Sequence, residues 1–271
     1  MRVPMSWLRE LGGTGLQVSA LGLGTVKLGR NRAVKYPADF ALPDERSARR
    51  LLALAGELGV NLLDTAPAYG SSEERLGRLL AGKRQDWIIC SKVGEEFEQG
   101  RSRFDFSPEH TRDSVLRSLR RLGTEVLDVV LVHSDGRDLE IIEQRGTLEV
   151  LAQLKREGLL RAFGMSTKTV AGGLAAAAVC DVVMVTYNPV HQEERPVLDE
   201  CARLGRGVLV KKVLDSGHLL QVAGNPDTGR TPQQASLELV LAHPGTSAAI
   251  VGTINPQHLR SNVEAARRAL A

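Results

Sequence analysis

Short apolar runs alternate with longer amphipathic stretches along the whole chain, and that rhythm narrows the possible folds more than any other feature. Parallel strands need a crossover connection, usually a helix, so strands alternating with helices imply a parallel sheet. The runs Val60 to Asp64, Trp87 to Ser91, Leu127 to Val132, Leu160 to Met165, Asp181 to Thr186, Val208 to Lys211 and Ala248 to Val251 read as buried strands, after an earlier one near Ser19 to Leu23. Helical periodicity fills the intervals. Asp44 to Leu58 carries Ala48, Leu51, Leu52, Ala55 and Leu58 on one face. Ser71-Ser72-Glu73-Glu74 has the spacing of a capping box, and Ser107-Pro108 reads as a cap followed by proline in the first helical position. Further helices are expected over Leu148 to Glu157, Thr167 to Val179, Glu193 to Leu204 and Pro232 to Ala242, with a closing one opened by Asn255-Pro256.

About eight such units in 271 residues suit one α/β domain over residues 1–271, a single (β/α)8 TIM barrel. A doubly wound sheet is the competitor. It would need a G-x-G-x-x-G turn after a strand, and Gly22-Leu23-Gly24-Thr25-Val26-Lys27 lacks the third glycine.

With 42% hydrophobic and 25% charged residues the chain has material for one large core, and no apolar run approaches the ~20 residues of a membrane span. A net charge of +3 gives no reason to invoke nucleic acid or a membrane surface. Met1 to Glu10 has no secretion-signal pattern, so the expected location is cytoplasmic. Cys90, Cys180 and Cys201 form no C-x-x-C pair and read as reduced buried thiols, and the six histidines show no metal-ligand spacing, so no metal site is expected. Nothing in the sequence sets an oligomeric state.

Three successive strands finish on ionisable groups: Asp64, Lys92 and His133, with Tyr69 in the loop after the first of them. Each alone has an ordinary structural use, as a helix cap, a solvated lysine, a core histidine or a packed aromatic. Together they point to one site, because strand carboxyl ends converge on one face of such a barrel. A phenol beside an ammonium can give a proton to an oxygen that gains charge as hydride reaches a carbonyl carbon. Asp64 would hold the ammonium and keep it charged, and His133 would orient the carbonyl oxygen or assist proton transfer. No side chain delivers hydride, so a nicotinamide is implied.

The run Gly59-x-Asn61-x-x-Asp64-Thr65-Ala66-x-x-Tyr69-Gly70-x-Ser72-Glu73, with Ser91-Lys92-Val93-Gly94 and Leu131-Val132-His133, resembles the aldo-keto reductases. So do the opening Leu11 to Thr25, the middle Glu157 to Ser166 and the end Val251 to Asn262. The resemblance implies a barrel that reduces small-molecule carbonyls with NADPH, Tyr69 being the donor and Asp64, Lys92 and His133 completing a tetrad. It also implies a cofactor site at Gly24, Thr25, Ser166, Thr167, Met184, Lys211, Lys212, Gly252, Thr253, His258 and Asn262. Gly252-Thr253 precedes a helix amino end suited to phosphate, and His258 and Asn262 lie one turn apart.

Several positions depart from the family pattern. Thr167 replaces an asparagine, Met184 a glutamine, and Lys211 a tyrosine that stacks on the nicotinamide in relatives; the pair Lys211-Lys212 could instead hold the pyrophosphate or be a basic strand end that meets solvent. Gly252 and His258 replace a lysine and an arginine, which leaves NADH open beside NADPH. The stretch Glu95 to Phe106 is expected either to fold over the pocket as an apolar wall or to pack on the rim, and the short tail hints at an open site. Two other readings stand: a Schiff-base lyase using Lys92, and a non-catalytic cofactor-sensing barrel.

Overall fold

The computed structural model describes residues 7–221 and 229–271. The first six residues of the Met1 to Glu10 stretch therefore lie outside the described part. The chain enters through a small antiparallel hairpin, β1 (Leu8–Glu10) and β2 (Gln17–Ser19). Then come β3 (Leu21–Gly24), β4 (Leu62–Asp64) and β5 (Ile88–Val93). A second hairpin, β6 (Glu95–Glu98) with β7 (Arg101–Phe104), follows at once. The remaining strands are β8 (Leu127–His133), β9 (Leu160–Ser166), β10 (Val182–Thr186), β11 (Gly207–Lys211) and β12 (Ala248–Gly252). Strands β3, β4, β5, β8, β9, β10, β11 and β12 pair in that order, all parallel, and β12 returns to β3 to close an eight-stranded barrel.

Alternate residues of these strands face opposite sides, which splits the core in two. Leu62, Cys90, Val129, Leu131, Val182, Met184 and Leu209 fill the barrel interior, and Leu11, Leu16 and Val18 from the first hairpin belong to the same cluster. A larger cluster, with Leu63, Ile89, Val130, Val183 and Val210, packs under the helices. Register then aligns the strand ends: Gly24 lies opposite both Asp64 and Gly252, His133 opposite Ser166, and Thr186 opposite Lys211. Among the described residues no helix is long and apolar enough to cross a membrane. Cys90, Cys180 and Cys201 are buried free thiols.

The helices differ from expectation mainly at their ends. Ser107 and Asn255 cap as expected, accepting from His110 N and from Gln257 N and His258 N. The expected capping box at Ser71 does not form. Ser71 makes no cap bond, because the following residues turn inward: Ser72 donates to Thr25 Oγ1 at 2.8 Å, and Ser91 donates to the buried Glu73 at 2.6 Å. A capping box occurs instead at Thr231 and Gln234. Both hairpins, a helical turn at Val26–Gly29 and a helix at Asp138–Gln144 had no counterpart in the sequence reading.

The Tyr69 loop reaches its place by close backbone approach. A Cβ on Gly29 would fall inside van der Waals contact of the Tyr69 carbonyl and the Ser72 amide, and one on Gly70, whose φ is +61°, would strike the Gly29 carbonyl. Neither obstacle is a flexible side chain. Gly29→Ala is therefore expected to destabilise the protein by about 1–3 kcal/mol, the usual range for overpacking. Urea unfolding of the variant beside the parent protein measures this.

Candidate active site

Asp64, Lys92 and His133 come from three adjacent strands of the barrel, and their backbones exit at its carboxyl end because the parallel register aligns them. Tyr69 closes a single helical turn, Pro67–Tyr69, just beyond β4. Lys92 is almost wholly enclosed. Its Nζ donates to Asp64 Oδ1 at 2.5 Å, to the Thr65 carbonyl at 2.9 Å and to the Tyr69 hydroxyl at 3.1 Å. All three ammonium protons are thus used. The Tyr69 hydroxyl in turn donates to Asp64 Oδ2 at 3.3 Å, and its ring meets that of His133 edge-on with centroids 6.3 Å apart.

Burial opposes the charge on Lys92, but Asp64 and Tyr69 overcome it and raise the amine above the ordinary lysine value. The amine has no free lone pair, so the geometry gives no support to a Schiff-base role at this residue. Burial, then Asp64, push the Tyr69 phenol up, and the lowering by Lys92 is the smaller effect. The expected acidification by the neighbouring ammonium is therefore outweighed in the free protein. The phenol keeps its proton at neutral pH, which a donor requires.

Asp64, Tyr69 and His133 line one end of a cavity of about 620 Å³. It runs past Lys211, Lys212, Gly24, Gly252 and Thr253 to His258 and Asn262 at the other end. Asp64 is the one carboxylate among its described lining residues, and Lys92 neutralises it, so the remaining charged side chains, Lys27, Lys211 and Lys212, are cationic. Such a cavity suits a long anionic ligand.

The model of the aldo/keto reductase family matches residues 20–228 of the chain. The chain belongs to the aldo/keto reductase family. It resembles a Pseudomonas aeruginosa protein solved under the aldo-keto reductase name, with 54% identity, a TM-score of 0.87 and coverage of 99% of this chain and 98% of that one. The holo form of an aldo-keto reductase from Bacillus halodurans is 27% identical with a TM-score of 0.81, covering 98% and 95% of the two chains. Pyridoxine 4-dehydrogenase of Escherichia coli is 30% identical over 92% of this chain and 89% of its own length. The chain is accordingly an NAD(P)H-dependent oxidoreductase.

In this reductase the expected cofactor residues divide. Gly24, Lys211, Lys212, Gly252, Thr253, His258 and Asn262 border the cavity, while Thr25, Ser166, Thr167 and Met184 do not. Met184 packs inside the barrel, and Thr25 is buried with its hydroxyl on the Asp64 carbonyl at 2.9 Å. Lys211 stands between Ser166 and Thr167 and the cavity, donating to Ser166 Oγ at 2.8 Å and to the Thr167 carbonyl at 2.7 Å. Burial lowers its pKa to about 8 despite Glu194. The amides expected to be free at the last helix are partly spent, since Asn255 N donates to Thr253 Oγ1 and those of Gln257 and His258 to Asn255 Oδ1. Asn262 is buried, with its amide oxygen held by Gln233.

The sequence reading missed the 30–43 segment. Tyr36, Pro37 and Ala38 from it line the cavity, and burial followed by Asp64 pushes the Tyr36 phenol up to about 12. Its ring carries the Lys27 ammonium 4.1 Å from the centroid. No strand end or motif marks this segment. Glu95 was missed as well, though it lies three residues after Lys92. The Glu95 to Phe106 stretch packs on the rim as the β6–β7 hairpin: Phe97 lies under Arg30, Phe104 stacks on Phe106, and none of the three phenylalanines borders the cavity.

Removing one partner of a buried ion pair leaves the other uncompensated. Lys92→Met should therefore cost about 3–5 kcal/mol of folding stability in addition to its effect on turnover. Chemical denaturation of the variant reads the first effect without reference to activity.

Proposed function

We propose that this reductase converts aldehyde or ketone carbonyls to alcohols, with Tyr69 as proton donor and NADPH as the favoured reductant. The observation that carries the reading is the Tyr69 hydroxyl, protonated and held 3.1 Å from Lys92 Nζ, at the wall of a cavity that also receives His133. A bound dihydronicotinamide supplies hydride to the carbonyl carbon. The chain's residues handle the proton and the charge. Tyr69 turns its O–H from Asp64 to the substrate oxygen and releases the proton as negative charge builds there. Lys92 already faces the phenolic oxygen and stabilises the phenolate that remains. Asp64 keeps Lys92 charged and in place.

The donor set fits the cofactor class: Lys212 offers a cation to phosphates and His258 and Asn262 farther along offer hydrogen-bond donors, while Lys211, whose ammonium is held by Ser166 and Thr167, would face the nicotinamide end. NADPH over NADH rests on that cationic lining, and a single catalytic domain on the match along nearly the whole length of the solved relatives. Four of the assigned cofactor residues, Thr25, Ser166, Thr167 and Met184, would act through Asp64, through Lys211 or through packing rather than by direct contact.

Tyr69→Phe is expected to bind NADPH as the parent protein does yet reduce an aldehyde roughly 10²- to 10⁴-fold more slowly. Fluorescence titration and initial rates give the two numbers, and full turnover in the variant would remove Tyr69 from its role. Lys211 generates a pH effect on binding. Its depressed pKa makes it a cation below about pH 8, where it repels a pyridinium, and neutral above, where the repulsion is lost. Affinity for NADP+ relative to NADPH should thus rise by roughly tenfold between pH 7 and pH 9. Lys211→Met should flatten that rise.

A further inference from the structure

Glu95 opens the β6–β7 hairpin only three residues after Lys92, and its carboxylate turns back toward the catalytic face. Its Oε2 lies 2.8 Å from His133 Nδ1. Its Oε1 accepts from Ser102 Oγ at 2.6 Å on the facing strand, and the Arg30 guanidinium approaches to 3.9 Å. Both side chains are mostly enclosed, at 12% and 21% exposure. With its hydrogen in the ring plane, Nδ1 points too far from the carboxylate oxygen to count as a hydrogen bond, and the contact rests on the 2.8 Å separation. Even so, two lone pairs do not settle 2.8 Å apart, and a carboxylate oxygen can only accept, so the proton must sit on Nδ1.

We infer that Glu95 is a positioning residue that fixes His133 as its Nδ1–H tautomer, leaving Nε2 as the atom presented to the cavity. Among the described residues Nε2 has no protein hydrogen-bond partner. A neutral imidazole carries one proton, so Nε2 is then bare and accepts a hydrogen bond from an alcohol. It donates to a carbonyl oxygen only as the imidazolium. The same histidine therefore favours the alcohol above its ionisation and the carbonyl below it. Dehydrogenase and reductase directions would share one site, their balance set by pH.

The surroundings of the ring keep this ionisation below the usual histidine range. Burial is the largest cause, Glu95 opposes it, and the Lys92 and Lys211 cations add to the lowering. From the remaining elements the Tyr69 ring edge faces it, and Arg30 faces Glu95 rather than the ring. Burial works to raise Glu95, but His133, Ser102 and Arg30 prevail and hold it down at about 2, so the carboxylate is charged throughout the working range. Arg30 also donates to the Ala68 carbonyl at 3.0 Å and lies 3.6 Å over the Phe97 ring. The hairpin that carries Glu95 is thereby fastened to the loop that carries Tyr69.

The inference rests on the proposed carbonyl chemistry for its meaning, but the tautomer can be read without any substrate. Nitrogen NMR of the protein labelled with 15N-histidine, with a His133→Asn sample to assign the signal, should show protonated Nδ1 and bare Nε2 at neutral pH. Glu95→Gln keeps an acceptor but loses the charge, so the tautomer should persist while the ionisation midpoint falls by about one pH unit. Glu95→Leu loses both and should yield a mixed or Nε2–H ring. In kinetics, kcat/KM for the carbonyl should fall above the same midpoint and kcat/KM for the alcohol should fall below it, and both breaks should move with the midpoint in Glu95→Gln. Ser102→Ala, which frees the carboxylate without touching the ring, should shift the midpoint in the same direction by less. An Nε2–H ring in the parent protein, or a midpoint indifferent to Glu95→Gln, would overturn the assignment whatever the reaction proves to be.

Discussion

The ion pair between Asp64 and Lys92 is the contact on which the catalytic face depends. It joins adjacent strands β4 and β5 at their carboxyl ends, in a place closed to water, where an isolated charge of either sign would be strongly disfavoured. Pairing alone does not satisfy an ammonium, which has three protons. The Thr65 carbonyl takes the second, and the third goes to Tyr69. The phenol is thus held where the structure itself needs an acceptor. Stability and chemistry draw on the same three hydrogen bonds.

Around that centre the charges are arranged by burial as much as by pairing. Lys92 and Lys211 are both enclosed lysines, yet one is raised and the other lowered. The difference lies in the partners. Lys92 meets a carboxylate directly, whereas the Lys211 ammonium is held by a hydroxyl and a carbonyl, which take two of its protons without balancing its charge. His133 feels both of these cations, each of which lowers its pKa, and owes much of its remaining basicity to Glu95. A hairpin on the rim thereby influences a group inside the cavity.

Much of this was legible in the chain. Alternating apolar runs and helical stretches gave eight parallel strands, and their terminal residues Asp64, Lys92 and His133 fell on one face because parallel register leaves no other arrangement. Long-range side-chain choices were less legible. Ser71 has the spacing of a cap but makes no cap bond, because the neighbouring serine and glutamate find partners far along the chain, on Thr25 just past β3 and on Ser91 of β5. Met184, placed among the cofactor contacts by the family resemblance, points into the barrel, since neighbouring strand residues face opposite ways. Tyr36 and Glu95 belong to segments without periodicity, where local sequence carries no signal of what the chain will touch.

What the sequence determined by itself was the barrel and the set of ionisable groups at its strand ends, because periodicity and register are local properties that repeat along the backbone. What only the tertiary structure decided was the state of those groups: which lysine stays charged, which nitrogen of His133 faces the cavity, and whether the phenol holds its proton. Those depend on distances of a few ångströms between residues far apart in the chain and on how completely water is excluded, and neither quantity is written in the order of the amino acids.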